Sequence, residues 1–187
     1  MPSRLPSDVR NRLEPIKVVI LDVDGVLTDG TLIYSAEGES LKRFSVRDGL
    51  AVRLLLGAGI DVAVLSGRAS DAVTARCIEL GIRAELVIQG SRDKSADFDR
   101  IEQLLGLDDR EVAAVGDDLP DLPMLARAGF AACPADAAPE VMAACDLVCG
   151  AAGGHGAVRE VAEVLLKAQR RWMGQVGSWV TPGMQRG

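Results

Sequence analysis

Short apolar runs alternate with amphipathic segments along most of the chain. Six runs predict β-strands, and most are continuously apolar, which is typical of strands covered on both faces. The predicted strands are 17–22, 61–66, 84–88, 111–117, 129–133 and 146–150. A helical periodicity between and after them predicts helices over 46–59, 69–81, 94–106, 121–129, 138–144 and 156–171.

The regular alternation predicts one α/β domain, a three-layer Rossmann-like fold with a parallel sheet. This domain spans residues 17–170 and follows an N-terminal extension, 1–16. A C-terminal tail, 171–187, contains both tryptophans and many glycines, so we expect it to be too irregular for a helix. The tail is either disordered or folded over a site.

A different pattern separates the first strand from the first helix. Residues 31–46 predict two short strands around a glycine-containing turn at 36–39, which is typical of a β-hairpin. The insertion, counted as 31–45, is either a surface excursion or a surface for another subunit, because proteins rarely leave strand edges exposed. Its apolar residues have no evident partner within the domain: Leu32, Ile33, Tyr34, Leu41 and Phe44.

Composition narrows the classes of protein. The chain has 21 basic and 27 acidic residues, a net charge of −6, which argues against a general nucleic-acid binder. No apolar stretch reaches the roughly 18 residues of a membrane span, and the N-terminus lacks the apolar region of a secretory signal. We therefore expect a cytoplasmic protein with no membrane partner. The four cysteines lack zinc-site spacing and are predicted to be small buried thiols.

Polar residues follow four of the predicted strands. Because parallel strands end at one edge of a sheet, these side chains should converge there. Acids crowded at one edge repel each other, and a purely oxygen ligand set suits Mg²⁺. Each residue alone has a structural explanation as a turn, a helix cap or a surface charge, but together they predict a site. They are Asp22, Asp24, Ser66, Gly67, Arg68, Lys94, Asp117, Asp118 and Asp121.

Four short motifs carry a family resemblance. DVDGVLTD (22–29), SGR (66–68), DK (93–94) and GDDLPD (116–121) resemble the haloacid dehalogenase-like phosphatases over about residues 17–146. LDVDGVLTDG, SLKRFSVRDG, QGSRDK and GGHGAVRE are similar to sequences of the phosphatases that act on 3-deoxy-D-manno-octulosonate 8-phosphate. This second resemblance implies a role in lipopolysaccharide biosynthesis.

The resemblance implies a role for each motif residue. Asp22 is the nucleophile that forms an aspartyl-phosphate, and Asp24 is the general acid and base. The Mg²⁺ ligands are the Asp22 and Asp117 carboxylates and the backbone carbonyl of Asp24, with Asp118 and Asp121 as outer supports. Ser66 and Lys94 bind the phosphoryl group. The implied substrate-binding residues are Asp24, Thr28, Ser66, Gly67, Arg68 and Lys94.

Relatives in this superfamily often carry a cap domain. We expect none here, because the predicted elements fill the chain from Asp22 to Ser66 and from Ser66 to Lys94. The resemblance implies a homotetramer in which hairpin 31–45 of one subunit borders the active site of a neighbour. His155 is equally compatible with contacting a ligand or a neighbour and with a structural role.

Substrate identity stays open between related sugar acids. Arg68 is the best candidate to bind a substrate carboxylate, with Lys42 and Arg47 nearby, and related nine-carbon phosphatases tend to have an acidic residue at that position. This favours the eight-carbon sugar phosphate over a nine-carbon 2-keto sugar acid 9-phosphate. A non-catalytic assembly module, like the domains fused to sugar-acid cytidylyltransferases, is a further alternative. A dehalogenase is disfavoured because Asp24, Lys94 and paired metal acids suit phosphoryl transfer.

Overall fold

A parallel β-sheet forms the centre of the computed structural model, which describes residues 7–36 and 38–177. The strands are β1 (Val18–Leu21), β2 (Ile33–Ser35), β3 (Gly38–Leu41), β4 (Asp61–Ser66), β5 (Val87–Gln89), β6 (Val112–Val115), β7 (Phe130–Cys133) and β8 (Leu147–Val148). Six of them form an open sheet in the order β5-β4-β1-β6-β7-β8, and every neighbouring pair is parallel.

Helices pack on the sheet in two groups. They are α1 (Ser7–Leu13), α2 (Val46–Gly57), α3 (Asp71–Leu80), α4 (Lys94–Leu105), α5 (Leu122–Arg127), α6 (Pro139–Ala144), α7 (Ala157–Ala168) and α8 (Trp172–Gly177). Helix α2 packs against α3 and α7, whereas α5 packs against α4 and α6, and β4 contacts both α2 and α4. The prediction of a three-layer Rossmann-like α/β domain is confirmed.

Strand β1 is a fully buried strand near the middle of the sheet. It lies between β4 and β6, with Val18 opposite Asp61 on one side and Val112 on the other. All four of its side chains are fully buried, which explains why its sequence is apolar throughout rather than alternating. The residues that follow β1 are therefore held at the middle of the sheet edge by a rigid strand.

Several boundaries differ from the predicted ones. Residues Ala84–Leu86 form a 3₁₀ turn, so β5 begins later than expected. Helix α1 lies in a segment for which no helix is predicted, and Leu13 at its end is buried in the core. The expectation of an irregular tail is wrong for residues 172–177, because α8 forms there and Trp172 packs partly against the core.

The predicted hairpin forms as a separate two-stranded antiparallel sheet of β2 and β3. Apart from this hairpin, the described residues between β1 and α2 contain no inserted helix or strand, in agreement with the absence of a cap domain. The expectation that Phe44 lacks a partner is wrong, because its ring packs on the core and the Arg76 guanidinium lies 6.0 Å from its centroid. Leu32, Ile33, Tyr34 and Leu41 are exposed.

Some sequence predictions concern residues outside the described ranges. These are Glu37 in the predicted turn, residues 1–6 of the N-terminal extension and residues 178–187 of the tail, including Trp179. Of the four free cysteines, Cys77, Cys133 and Cys149 are buried as predicted, whereas Cys145 is half-buried. None of the helices in the described part of the chain has the length and apolarity needed to cross a membrane.

Candidate active site

Asp22 stands at the end of β1, in the middle of the carboxyl edge of the sheet. Its backbone N–H donates to the carbonyl of Val115 at 3.0 Å, which extends the register between β1 and β6 by one residue. The side chain is buried. Burial and the nearby Asp121 carboxylate raise the pKa of Asp22 to about 6, against the opposing effect of Lys94. An ionised Asp22 is therefore stabilised by any further positive charge at this edge.

Lys94, the first residue of α4, supplies one such charge. Its Nζ donates to Asp22 Oδ1 at 2.6 Å and to Asp121 Oδ1 at 2.5 Å, and the side chain is buried. Burial alone would lower the pKa of Lys94, but the two carboxylates raise it. Asp93 caps the helix by accepting from the N–H groups of Ser95 and Ala96, so the position of Lys94 is fixed by the start of α4.

Three carboxylates meet beside this lysine. Single oxygen atoms of Asp22, Asp117 and Asp121 lie within 4.8 Å of one another. Asp121 is oriented by the backbone N–H groups of Asp117 and Asp118, which donate to its Oδ2 at 2.9 and 3.3 Å. Burial, followed by the charges of Asp22 and Asp121, raises the pKa of Asp117 to about 7. The cluster thus carries more negative charge than Lys94 balances.

This cluster fits a small divalent cation. Its donors are hard carboxylate oxygens, which Mg²⁺ prefers over nitrogen or sulfur. Gly25 keeps the space open, because a Cβ at that position would lie 2.0 Å from Asp117 Oδ2. Glycine is also required there because its φ is +97°.

Asp24 lies beside this cluster and faces two cations. Lys42, from the segment after β3, forms an ion pair with its Oδ1. On the other side, Arg68 Nε lies 3.8 Å from Oδ2. A guanidinium N–H of Arg68 also donates to the Tyr34 hydroxyl at 2.5 Å, which joins this end of the site to the hairpin.

The remaining predicted residues lie at the same edge. Ser66 is buried at the end of β4, and its hydroxyl accepts from the Arg68 N–H at 3.3 Å. Gly67 is exposed beside it. Thr28 is buried within the loop after β1, where its hydroxyl donates to the Val23 carbonyl at 3.2 Å and accepts from the Gly30 N–H at 3.2 Å. Its observed contacts therefore brace the loop, and substrate binding by Thr28 stays a prediction.

Known proteins with similar sequences identify the family. The family model for haloacid dehalogenase-like hydrolases matches residues 39–129. The 3-deoxy-D-manno-octulosonate 8-phosphate phosphatase of Escherichia coli (strain K12) is 43% identical over 163 residues, which cover 87% of this chain and 86% of that protein. The chain belongs to the haloacid dehalogenase-like hydrolases. The prediction of a phosphoric monoester hydrolase is confirmed with it.

Solved structures of other members of this hydrolase family have the same fold. The cobalt-bound deoxy-D-mannose-octulosonate 8-phosphate phosphatase of Haemophilus influenzae is 45% identical with a TM-score of 0.82, covering 85% of this chain and 92% of that one. A Moraxella catarrhalis 3-deoxy-D-manno-octulosonate 8-phosphate phosphatase, in complex with magnesium, phosphate and the sugar acid, is 38% identical with a TM-score of 0.88. The match covers 92% of this chain and 98% of that one.

A glycine-rich loop, residues 153–156, packs against the loop after β1, residues 22–30, which we call the active-site loop, and this packing is not predicted from the sequence. Gly153 lies so close that a Cβ would come within 1.8 Å of the Gly25 carbonyl oxygen, and the Gly154 N–H donates to the Val26 carbonyl at 3.0 Å. The family-like GGHGAVRE segment is the signal that marks this loop, but its packing partner cannot be read from sequence.

Asp48 is a second residue without a predicted role. It is buried in α2 and accepts from the N–H groups of Gly156 at 3.0 Å and Arg159 at 2.9 Å. Burial raises the pKa of Asp48 above its usual value, and the hydrogen bonds from the Arg159 and Gly156 N–H groups offset only part of this rise. Asp48 thereby ties α2 to the start of α7 and holds the glycine-rich loop in place.

Proposed function

We propose that this hydrolase releases phosphate from 3-deoxy-D-manno-octulosonate 8-phosphate in a Mg²⁺-dependent reaction through an aspartyl-phosphate. The observation that carries the chemistry is the buried Asp22 carboxylate, which contacts Lys94 and lies within 4.8 Å of oxygens of Asp117 and Asp121. The substrate is inferred from the relatives, of which the Moraxella catarrhalis protein binds the sugar acid together with phosphate and magnesium.

In the first step an Asp22 oxygen attacks the phosphorus, and the bond from phosphorus to the sugar oxygen breaks. Asp24 donates a proton to the departing oxygen, which leaves as the alcohol of the free sugar acid. Ser66 and Lys94 contact the phosphoryl oxygens and stabilise the negative charge that they carry in the transition state. Asp22 holds the phosphoryl group at the end of this step.

In the second step Asp24 takes a proton from a water molecule, whose oxygen attacks the phosphorus. The bond between phosphorus and Asp22 breaks, which returns the free carboxylate and inorganic phosphate. Asp22, Asp117 and the Asp24 backbone carbonyl would hold Mg²⁺, which supplies positive charge for the phosphoryl oxygens. Asp121 remains on Lys94 and keeps that side chain aimed at Asp22.

Arg68 is proposed to select substrates that carry a carboxylate. Its side chain is partly exposed at the edge of the site, where the guanidinium can reach a bound sugar acid, and it is held by Tyr34. Lys42 is turned toward Asp24, and Arg47 is exposed in the first turn of α2. An arginine presents two parallel N–H donors to a carboxylate, which suits it to this task.

We further propose a homotetramer in which hairpin 31–45 closes the site of a neighbouring subunit. The hairpin is a two-stranded sheet that does not pair with any described strand of the six-stranded sheet, and proteins rarely leave strand edges exposed. Its exposed apolar side chains include Ile33, Tyr34 and Leu41. Pairing between copies would bury this surface and shield the phosphoryl group from bulk water.

Phosphate release from a panel of sugar phosphates, with and without Mg²⁺, tests the proposal. We expect the eight-carbon sugar acid 8-phosphate to have the highest kcat/KM and EDTA to abolish turnover. The Asp22→Asn variant, which keeps the side-chain volume, is the control and should be inactive with an unchanged circular dichroism spectrum. Preference for a nine-carbon 9-phosphate would overturn the substrate assignment, and a fully active Asp22→Asn would overturn the mechanism.

A further inference from the structure

The side chain of Lys42 is buried although it lies next to an exposed hairpin. Its side chain is 2% exposed, whereas the side chain of Arg43, the next residue, is 74% exposed. A lysine is seldom buried unless its charge is compensated, and Asp24 provides that compensation here. The two adjacent cations after β3 therefore point in different directions. Lys42 points into the candidate active site, whereas Arg43 points outward, where its Nη2 donates to Asp29 Oδ2 at 2.6 Å.

We infer that Lys42 is a positioning residue that fixes the orientation of the Asp24 carboxylate for proton transfer. The inference rests on the proposed function, in which Asp24 is the general acid and base. The terminal torsion of an aspartate side chain is broad, so its two oxygens are not held by rotamer preference alone. The ion pair of Lys42 with Oδ1 removes that freedom and leaves Oδ2 turned toward Arg68.

This arrangement makes the catalytic step depend on the hairpin. Lys42 lies one residue beyond the end of β3, and Tyr34 of β2 accepts from Arg68 at 2.5 Å. Both cations that face Asp24 are thus coupled to the hairpin strands, whose apolar side chains point outward. A displacement of the hairpin would move Lys42 and turn Asp24, so the turnover rate would change more than the affinity for substrate.

Lys42→Met tests the inference, with Lys17→Met as the control, because Lys17 lies before β1, outside the hairpin, and its side chain is 61% exposed and paired with Glu111. The kinetics are measured on p-nitrophenyl phosphate and on the eight-carbon sugar phosphate. Loss of a supporting partner of a site residue typically costs about 10–100-fold, so kcat of Lys42→Met should fall by about that factor on both substrates. KM should stay within about threefold, and Lys17→Met should behave like the wild type. Lys42→Arg should restore part of kcat, because it restores the ion pair.

A double-mutant cycle shows whether Lys42 acts through Asp24. If it does, adding Lys42→Met to Asp24→Asn should lower kcat on p-nitrophenyl phosphate by no more than about twofold, because coupled residues are not additive. An undiminished loss in that background would overturn the inference. So would a rise in KM confined to the sugar phosphate, which would make Lys42 a substrate contact.

The proposed function and this inference fail in different ways. If the wild type hydrolyses p-nitrophenyl phosphate and Asp22→Asn does not, the mechanism holds, and a Lys42→Met variant as active as the wild type would reject Lys42 alone. If the wild type hydrolyses no phosphate ester, both are rejected. A melting temperature and circular dichroism spectrum for each variant identify loss of fold, and Lys42→Arg then carries the test.

Discussion

Replacing Gly153 by alanine should impair catalysis through contact with the active-site loop. Gly153 packs against the carbonyl of Gly25, and Gly25 in turn lies against the Asp117 carboxylate. The loop that carries Asp24 is therefore held between the glycine-rich loop and the acidic cluster. A methyl group on one side has to displace it toward the other.

The structure gives the size of this displacement. The added Cβ would lie 1.8 Å from the Gly25 oxygen, whereas ordinary contacts begin at 3.4 Å, so one of the two backbones must move by about 1.6 Å. A misplacement of about 1 Å can cost about 100-fold in rate, so we expect kcat to fall at least that far. Overpacking typically costs about 1–3 kcal/mol, or about 2–4 °C of melting temperature per kcal/mol in a chain of this size.

The assay compares Gly153→Ala with Gly174→Ala, since a Cβ at Gly174 in α8 meets nothing within 4 Å. Turnover of p-nitrophenyl phosphate and thermal unfolding are measured for both variants. Gly174→Ala should keep full activity and gain some stability from its higher helix propensity. If Gly153→Ala retains kcat within threefold of the wild type, packing against Gly153 does not fix the position of the active-site loop.

Three further predictions concern specificity, pH and assembly. Arg68→Ala should raise KM for the sugar acid phosphate by about 10–100-fold, which corresponds to the loss of one charge-assisted hydrogen bond. KM for p-nitrophenyl phosphate should not change, and an equal rise in both KM values would show that Arg68 does not bind the substrate carboxylate. Burial, then the adjacent Asp109 carboxyl, raises the pKa of Glu102 from 4.5 to about 7, so the folded state keeps a proton that the unfolded state loses. The free energy of unfolding should therefore fall as the pH rises from 4.5 to 7. Urea unfolding midpoints measured across this range should fall less for Glu102→Gln than for the wild type, and equal falls for the two proteins would contradict the raised pKa. Ile33→Asp should dissociate the proposed tetramer and lower turnover of the sugar phosphate, whereas a monomeric wild type in light scattering would reject the assembly.

Much of the sheet could be predicted because its strands are buried on both faces. A continuous apolar run such as 18–21, bounded by turn residues, is typical of a strand covered on both faces. Helices α1 and α8 could not be predicted, because each is short and its local sequence favours helix weakly. Trp172, for example, is held by tertiary contacts, with the Arg159 guanidinium and the Lys167 amine each 5.2 Å from a ring centroid.

The residues of the candidate site that follow strands could be predicted from the sequence. Asp22, Ser66 and Asp117 sit at or just after the ends of β1, β4 and β6, so the topology of a parallel sheet brings them to one edge. The contacts of Lys42 and Gly153 depend instead on how a hairpin and a loop fold back onto that edge. No local pattern encodes such an approach, because it is decided by packing between segments distant in the chain.

The packing of the glycine-rich loop against the active-site loop also has a consequence for the synthesis of the enzyme. The loop after β1 leaves the ribosome early, whereas Gly153 and the Asp48 partner Gly156 follow β8, the last strand of the sheet to be synthesised. The proposed nucleophile, Asp22, and the proposed proton donor, Asp24, are thus translated well before the surface that fixes their spacing. We therefore expect a nascent chain that lacks this segment to carry the proposed catalytic side chains without the geometry for turnover, and to become active only after Gly153 and Gly156 have been added.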